Sequence, residues 1–240
     1  QLGFKLGPYD IINHLSHLSH KTGSNSYAGL ISEVTHYLHS ASTLPSKVIE
    51  KAARELHTRL EAAPAQVWHL FEELLHFFEY YAPEEGDYER RLRLTPVVNE
   101  PNGNRRCNSP WEPLKALLTG VAAGLRQLLS LIEELPHPEP PIHSNLMAEL
   151  SSSIYAHSEL SHRMDSLISQ PSADNIYWLS LRKEDDAIAL HAAPLHVGNA
   201  LNESLFWDKD CIIFTGATLS TENNFDYIKW QLEMEQSDTL

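Results

Sequence analysis

Cysteine is nearly missing from this chain: Cys107 and Cys211 are the only two in 240 residues. With one in a polar stretch and the other in an apolar run, neither a disulfide framework nor a cysteine-ligated metal site is indicated. Basic residues are also scarce, 18 Lys and Arg against 32 Asp and Glu, which gives a formal net charge of −14. At the scale of the whole molecule that charge repels phosphate backbones, so the isolated chain is expected to bind nucleic acid poorly. Long apolar runs are absent as well. Each is broken by charged or polar residues, which predicts no membrane-spanning helix and no membrane partner. The first residues carry no basic, apolar, small-residue signal pattern, and a cytoplasmic location is the expectation. No G-x-x-x-x-G-K-[ST] phosphate loop and no Asp-Glu-Ala-His box occurs, so nothing visible cradles a nucleotide or its magnesium. No catalytic triad, activated cysteine or other nucleophile arrangement stands out from the many Ser and His residues.

What is present is a core. Hydrophobic residues make up 42% of the chain, ample for a packed interior at this length. Tyr27, Leu30, Ile31, Val34 and Leu38 fall at helical spacing behind a capping Ser26. From Lys47 the pattern runs through Ala52, Leu56, Leu60, Val67, Leu70, Phe71, Leu74, Phe77 and Phe78 to Tyr81, as two helices or as one kinked at Pro64. Tyr88 to Val98 reads as extended, with Leu92 and Leu94 apolar, and residues 99–104 read as an exposed turn. After Pro110 comes the strongest stripe: Leu114, Leu117, Leu118, Val121, Leu125, Leu128, Leu129, Ile132 and Leu135. Four prolines between Pro136 and Pro141 predict a turn, and Leu146, Leu150, Ile154, His157, Leu160, Met164 and Leu167 predict a further helix.

The character changes near residue 173. Ile176–Leu181 and Ala187–Ala192 are strand-like and separated by Arg182-Lys183-Glu184-Asp185-Asp186, a hairpin by spacing. A helix over 195–206, a buried Cys211 strand and a helix over 225–232 then suggest part of an α/β sheet. The expected class is therefore α+β, predominantly α. An antiparallel helical bundle fills 1–172, with an extended segment near 88–98, and a smaller strand-containing piece fills 173–240.

Three sets of residues invite a functional reading. Arg90, Arg91, Arg93, Arg105 and Arg106 stand against the single acid Glu100 and could follow the phosphates of single-stranded DNA, with Trp111 or Tyr88 nearby to stack a base. A solvated charged face explains the same residues. Glu33-x-x-His36, Glu73-x-x-His76 and Glu159-x-x-His162 have the spacing that carboxylate-bridged di-iron bundles use. Yet His36 and His76 lie off the apolar stripes, and no metal is expected. His14-x-x-His17-x-x-His20 reads as a polar helix face rather than a ligand set. The third set is Thr215-Gly216-Ala217-Thr218, a hydroxyl-rich turn directly after Cys211-Ile212-Ile213-Phe214. Alone, it is also compatible with an ordinary strand-to-loop transition.

The order of Ala192-Ala193-Pro194-Leu195, the apolar run, Thr215-Gly216-Ala217-Thr218-Leu219-Ser220 and Phe225-Asp226-Tyr227-Ile228 resembles the motif III region of the DinG/XPD-like superfamily 2 DNA helicases. The likeness covers about residues 176–230 and is weaker before them, although Gln1-Leu2-Gly3-Phe4-Lys5-Leu6 resembles the segment that follows the Asp-Glu-Ala-His box in that family. What the resemblance implies is a non-catalytic piece of an ATP-dependent helicase. Residues 1–172 would be the arch insertion along the single-strand path, and 173–240 would be part of a RecA-like domain. Thr215, Gly216, Ala217 and Thr218 would couple nucleotide state to DNA grip. Gly216 stands where many relatives have Ser, which leaves any contact of that hydroxyl unmade. ATP, magnesium and DNA unwinding would belong to the parent protein, whose remaining domains are the implied partners. Many relatives carry an iron–sulfur cluster whose cysteines lie between the phosphate loop and the Asp-Glu-Ala-His box, outside this sequence, so these residues leave the parent's cluster open. The apolar strand without its neighbours predicts self-association. The alternatives are a stand-alone helical interaction module and a His/Glu metal-binding bundle.

Overall fold

The computed structural model describes residues 3–23, 26–41, 45–82, 89–94, 101–136, 140–182, 184, 186–216, 219–220 and 224–234, with backbone alone at 101–108, 140, 199–200 and 204. The chain is α+β and mostly helical, with a small antiparallel sheet. It begins with β1 (Phe4–Leu6), α1 (Pro8–Leu18), β2 (His20–Lys21), β3 (Tyr27–Ala28) and α2 (Leu30–Ala41). The long helices α3 (Ser46–Tyr81), α4 (Pro101–Glu133) and α5 (Pro140–Ile168) follow, with β4 (Glu89–Arg93) between the first two. Then come β5 (Asn175–Arg182), β6 (Ala187–Pro194), α6 (Gly198–Leu201), a π turn at Asn202–Phe206 and α7 (Asp226–Gln231).

Helix α1 starts because Pro8 pre-sets its first turn while the Asp10 carboxylate accepts the Gly7 N–H at 2.7 Å. Its apolar residues Ile11, Leu15 and Leu18 recur every three to four positions and are all buried. Helices α3 and α4 obey a stricter rule. In α3 the buried positions step 49, 53, 56, 60, 63, 67, 70, 74, 77, and in α4 they step 111, 114, 118, 121, 125, 128, 132. Alternating steps of four and three keep one seam facing one neighbour, the pattern of helices packed nearly side by side. Gly124 lies on Leu56 and Gly120 on Arg59, so α3 and α4 run antiparallel. Trp111 Nε1 donates to Asp165 at 3.1 Å, and His157 Nε2 meets the Leu118 carbonyl at 2.8 Å. Helices α4 and α5 are therefore antiparallel too. Helix α3 is one helix with Pro64 inside it. One backbone hydrogen bond is lost there, but Leu60, Ala63 and Val67 on either side are buried, and packing carries the helix through.

The main sheet has the order β1-β6-β5-β4, all antiparallel. The hairpin β5–β6 is its middle, flanked by β1 from the start of the chain and β4 from the α3–α4 connection. Leu6, Leu190, Leu179 and Leu92 form one row on the face that meets the helices. On that side Arg163 of α5 lies over the Phe4 ring, and Arg90 lies over the Phe78 ring, each 5.3 Å from the centroid. Side chains of α1 to α5 and of all four strands form one continuous core.

Several expectations need correction. Tyr27 lies in β3 rather than in a helix, because Gly29, at φ 106°, turns the chain before α2 begins at Leu30. Residues 101–104 are the first turn of α4, and Pro140 and Pro141 open α5, positions where a missing N–H costs little. The helix foreseen over 195–206 is reduced to α6 and the π turn. Cys211–Gly216 lies in no strand or helix, and Cys211 and Ile213 are exposed. An apolar run becomes a strand only when neighbours take its backbone hydrogen bonds, and none among the described residues does so. Ser109–Glu133 is, contrary to expectation, long and apolar enough to cross a membrane. Its apolar seam faces α3 and α5, which is the behaviour of a core helix.

Candidate functional site

Among the described residues the predicted site residues do not come together as one constellation. Thr215 and Gly216 are exposed in the irregular segment, and Ala217 and Thr218 fall outside the described residues. A side chain at 216 would meet only Leu219, at ordinary contact distance. Arg105 and Arg106 belong to the first turns of α4, and their side chains lie outside the described residues, as does Tyr88. Trp111 is fully buried, with its N–H on Asp165. It cannot stack a base.

The remaining three arginines are divided by the pleat, because successive residues of a strand point to opposite faces. Arg90 goes to the helix side, over Phe78. Arg91 and Arg93 go to the other side, and the register shows what they meet there. Arg93 is opposite Trp178, Trp178 is opposite His191, and His191 is opposite Lys5. These four residues form a row across all four strands on the outer face. One step along, Arg91 is opposite Ser180, and beyond it Glu89 is opposite Arg182. Among the described strand residues the outer face thus carries Lys5, Arg91, Arg93 and Arg182 against one acid, Glu89, while Asp186 of the β5–β6 turn lines one cavity with Lys5 and Arg182; in the whole sequence acids greatly outnumber bases.

The details are those of an ordered polar surface. The Trp178 and His191 rings are stacked, with centroids 4.8 Å apart and planes at 10°. Ser180 Oγ lies 2.8 Å from His191 Nε2, and Arg91 Nη2 lies 2.7 Å from Glu89 Oε2. Burial, then the positive charge of Lys5, push the His191 pKa down against the pull of Glu89. Its imidazole is therefore neutral near pH 7. Burial works to raise the Glu89 carboxyl, but hydrogen bonds from Arg91 and Ser180 leave it below the usual range. Lys5, Arg91 and Arg93 are exposed, and Trp178 is partly so. Lys5, Trp178 and His191 are the members missed in the sequence. The β5–β6 hairpin was visible, but its pairing with β1 and β4 was not.

The histidine motifs come apart. Glu33 and His36 are exposed, His76 sits 3.9 Å from its own helix neighbour Glu73, and Glu159 pairs with Arg163 at 2.8 Å. Among the described residues no group of three or more His, Cys, Asp or Glu is placed to hold a metal ion. His14 is not a free polar face: its Nε2 lies 3.2 Å from Nδ1 of the buried His157. No family model matches the chain, and no curated protein matches it in sequence.

Proposed function

We propose that this chain contributes the arch-like helical part and the motif III turn of a DinG-like, ATP-dependent DNA helicase. The observation that carries the reading is the state of Cys211–Gly216. Here an apolar run with the composition of a central strand, leading straight into Thr215-Gly216, is solvent-exposed and in no sheet. That is what a strand looks like when the strands that would flank it belong to another part of a larger α/β domain. The antiparallel bundle of α3, α4 and α5, inserted before the turn, suits the arch. On this reading the phosphate loop, the Asp-Glu-Ala-His box, ATP and magnesium belong to the parent, and this chain alone hydrolyses no ATP.

The test is made on the parent gene and its product. The same reading frame should encode a phosphate loop upstream, and the product should show ATPase activity stimulated by single-stranded DNA. Thr215→Ala with Thr218→Ala should leave DNA binding intact and cut unwinding more than ATP hydrolysis, since a coupling turn is lost rather than a phosphate ligand. A frame without a phosphate loop would sink the proposal, and so would unchanged unwinding in the double variant.

A further inference from the structure

We infer that the outer face of the four-stranded sheet is a binding track for single-stranded nucleic acid, with Lys5, Arg91 and Arg93 as phosphate contacts and Trp178 as the base-contacting aromatic. The inference deepens the helicase reading but stands on separate observations. An antiparallel sheet with one face on the core is expected to be polar on the other, and arginines on an edge strand such as β4 also discourage edge-to-edge pairing. Those needs explain charge; they do not explain its sign or its company. Among the described residues, four cations on this face stand against Glu89 and the turn residue Asp186, which reverses the 18 to 32 ratio of the whole sequence. The cations also frame an aromatic: Lys5 and Arg93 are the two ends of a row whose centre is the Trp178–His191 stack.

Charge complementarity selects the occupant. A polyanion is the one ligand class that profits from this face while the rest of a −14 molecule repels it. The row places a cation, two rings and a cation on successive strands, and strands lie about 4.8 Å apart. A cation-to-cation span of roughly three strand spacings suits a backbone crossing the sheet, with its bases turned to the rings. A duplex hides its base faces in its own stack and gains nothing from Trp178. Neutral His191 holds the Trp178 ring from one side and is itself hydrogen-bonded to Ser180, so the aromatic is pre-positioned. Arg91 is partly engaged by Glu89, and Lys5 and Arg93 are the stronger phosphate contacts.

The experiment uses the whole 240-residue chain and a fluorescein-labelled oligothymidylate, followed by anisotropy over a salt series at low ionic strength. Each phosphate contact removed should lower the slope of log K against log salt by about 0.7 for a single strand, so Lys5→Ala with Arg93→Ala should lower it by about 1.4. Arg90→Ala, which alters a cation of the same strand on the opposite face, should leave the slope unchanged. Trp178→Leu should weaken binding severalfold with the salt slope kept, and circular dichroism checks that the sheet remains. A wild-type chain that does not bind would overturn the inference. So would equal loss of slope in the Arg90 variant and the Lys5/Arg93 double variant, or duplex DNA or inorganic polyphosphate bound as tightly as the single strand. These outcomes concern the isolated chain. They leave the helicase reading standing or falling on the parent gene and its ATPase.

Discussion

At the residue scale the informative groups are four histidines held neutral. Burial, then the neighbouring His157 and His17, lower the His14 pKa from 6.5 to about 4. Burial is also the leading cause for His57, His157 and His191, all displaced downward. In each case the folded state binds its proton less tightly than the unfolded chain. The stability these groups contribute is complete above the unfolded pKa of about 6.5 and is lost as pH falls toward the folded values. Glu61, Glu89 and Asp165 are displaced below the carboxyl range, so their loss begins only at lower pH. Between pH 7.5 and 5 the histidines therefore set the slope, and each unit of pKa difference is worth about 1.4 kcal/mol. Urea unfolding at those two pH values should show a clear drop in stability, smaller in His14→Asn, where one member of the stacked His14–His157 pair is gone. Equal stability at both values in the wild type would show that these rings protonate without cost to the fold.

At the element scale the seam between α3 and α4 separates two glycines that look alike in sequence. A Cβ at Gly124 would stand 2.5 Å from Leu56 Cδ2 and 2.7 Å from Cγ, inside a buried contact. At Gly120 the near atom is Nε of Arg59, the far end of a long side chain that is half exposed. Alanine raises helix propensity by up to about 1 kcal/mol over glycine, while overpacking a filled seam costs about 1–3 kcal/mol. Gly120→Ala should therefore be neutral or stabilising and Gly124→Ala destabilising, measured as midpoints of urea unfolding. Matching signs would mean that α3 and α4 are not packed this closely. The helices themselves were legible because α3, α4 and α5 carry an uninterrupted three-and-four spacing, and the β5–β6 hairpin was legible from two apolar runs around a charged turn. Pairing of Phe4–Leu6 with 190–192 was not, since contacts that distant in sequence leave no local pattern. Lys5 stayed invisible as a site residue for that reason, and Arg90 was grouped with Arg91 although the pleat sends it to the opposite face. The Cys211 run failed as a strand for a different reason: composition marks a segment as apolar, but a strand forms only where neighbours take its backbone hydrogen bonds, and none of the described residues does so here.

At the scale of the whole molecule, apolar surface is distributed unevenly. Residues 4–194 supply the continuous core, whereas α7 buries nothing, and Leu205, Trp207, Ile213, Tyr227 and Trp230 are all more than half exposed. A soluble monomer rarely leaves so many large apolar side chains in water within so short a stretch. The net charge of −14 opposes association but acts over a screened distance of about 8 Å at physiological salt. Apolar contact should therefore win as salt rises. Self-association is the expected outcome, strengthening with ionic strength, and sedimentation velocity over a concentration series at two salt levels reads it directly. Ile213, 82% exposed, is the place to intervene. Ile213→Lys should reduce association without changing the melting temperature of the monomer, because no core contact is removed. On the proposed helicase reading the same residue would sit in a buried strand of a larger protein, and the same substitution should destabilise that domain by several kcal/mol, the cost of an unpaired buried charge. One change thus has opposite consequences in the two settings. Equal tolerance of Ile213→Lys in the parent would show that the 211–214 run is surface there too, and the strand would have to be sought elsewhere.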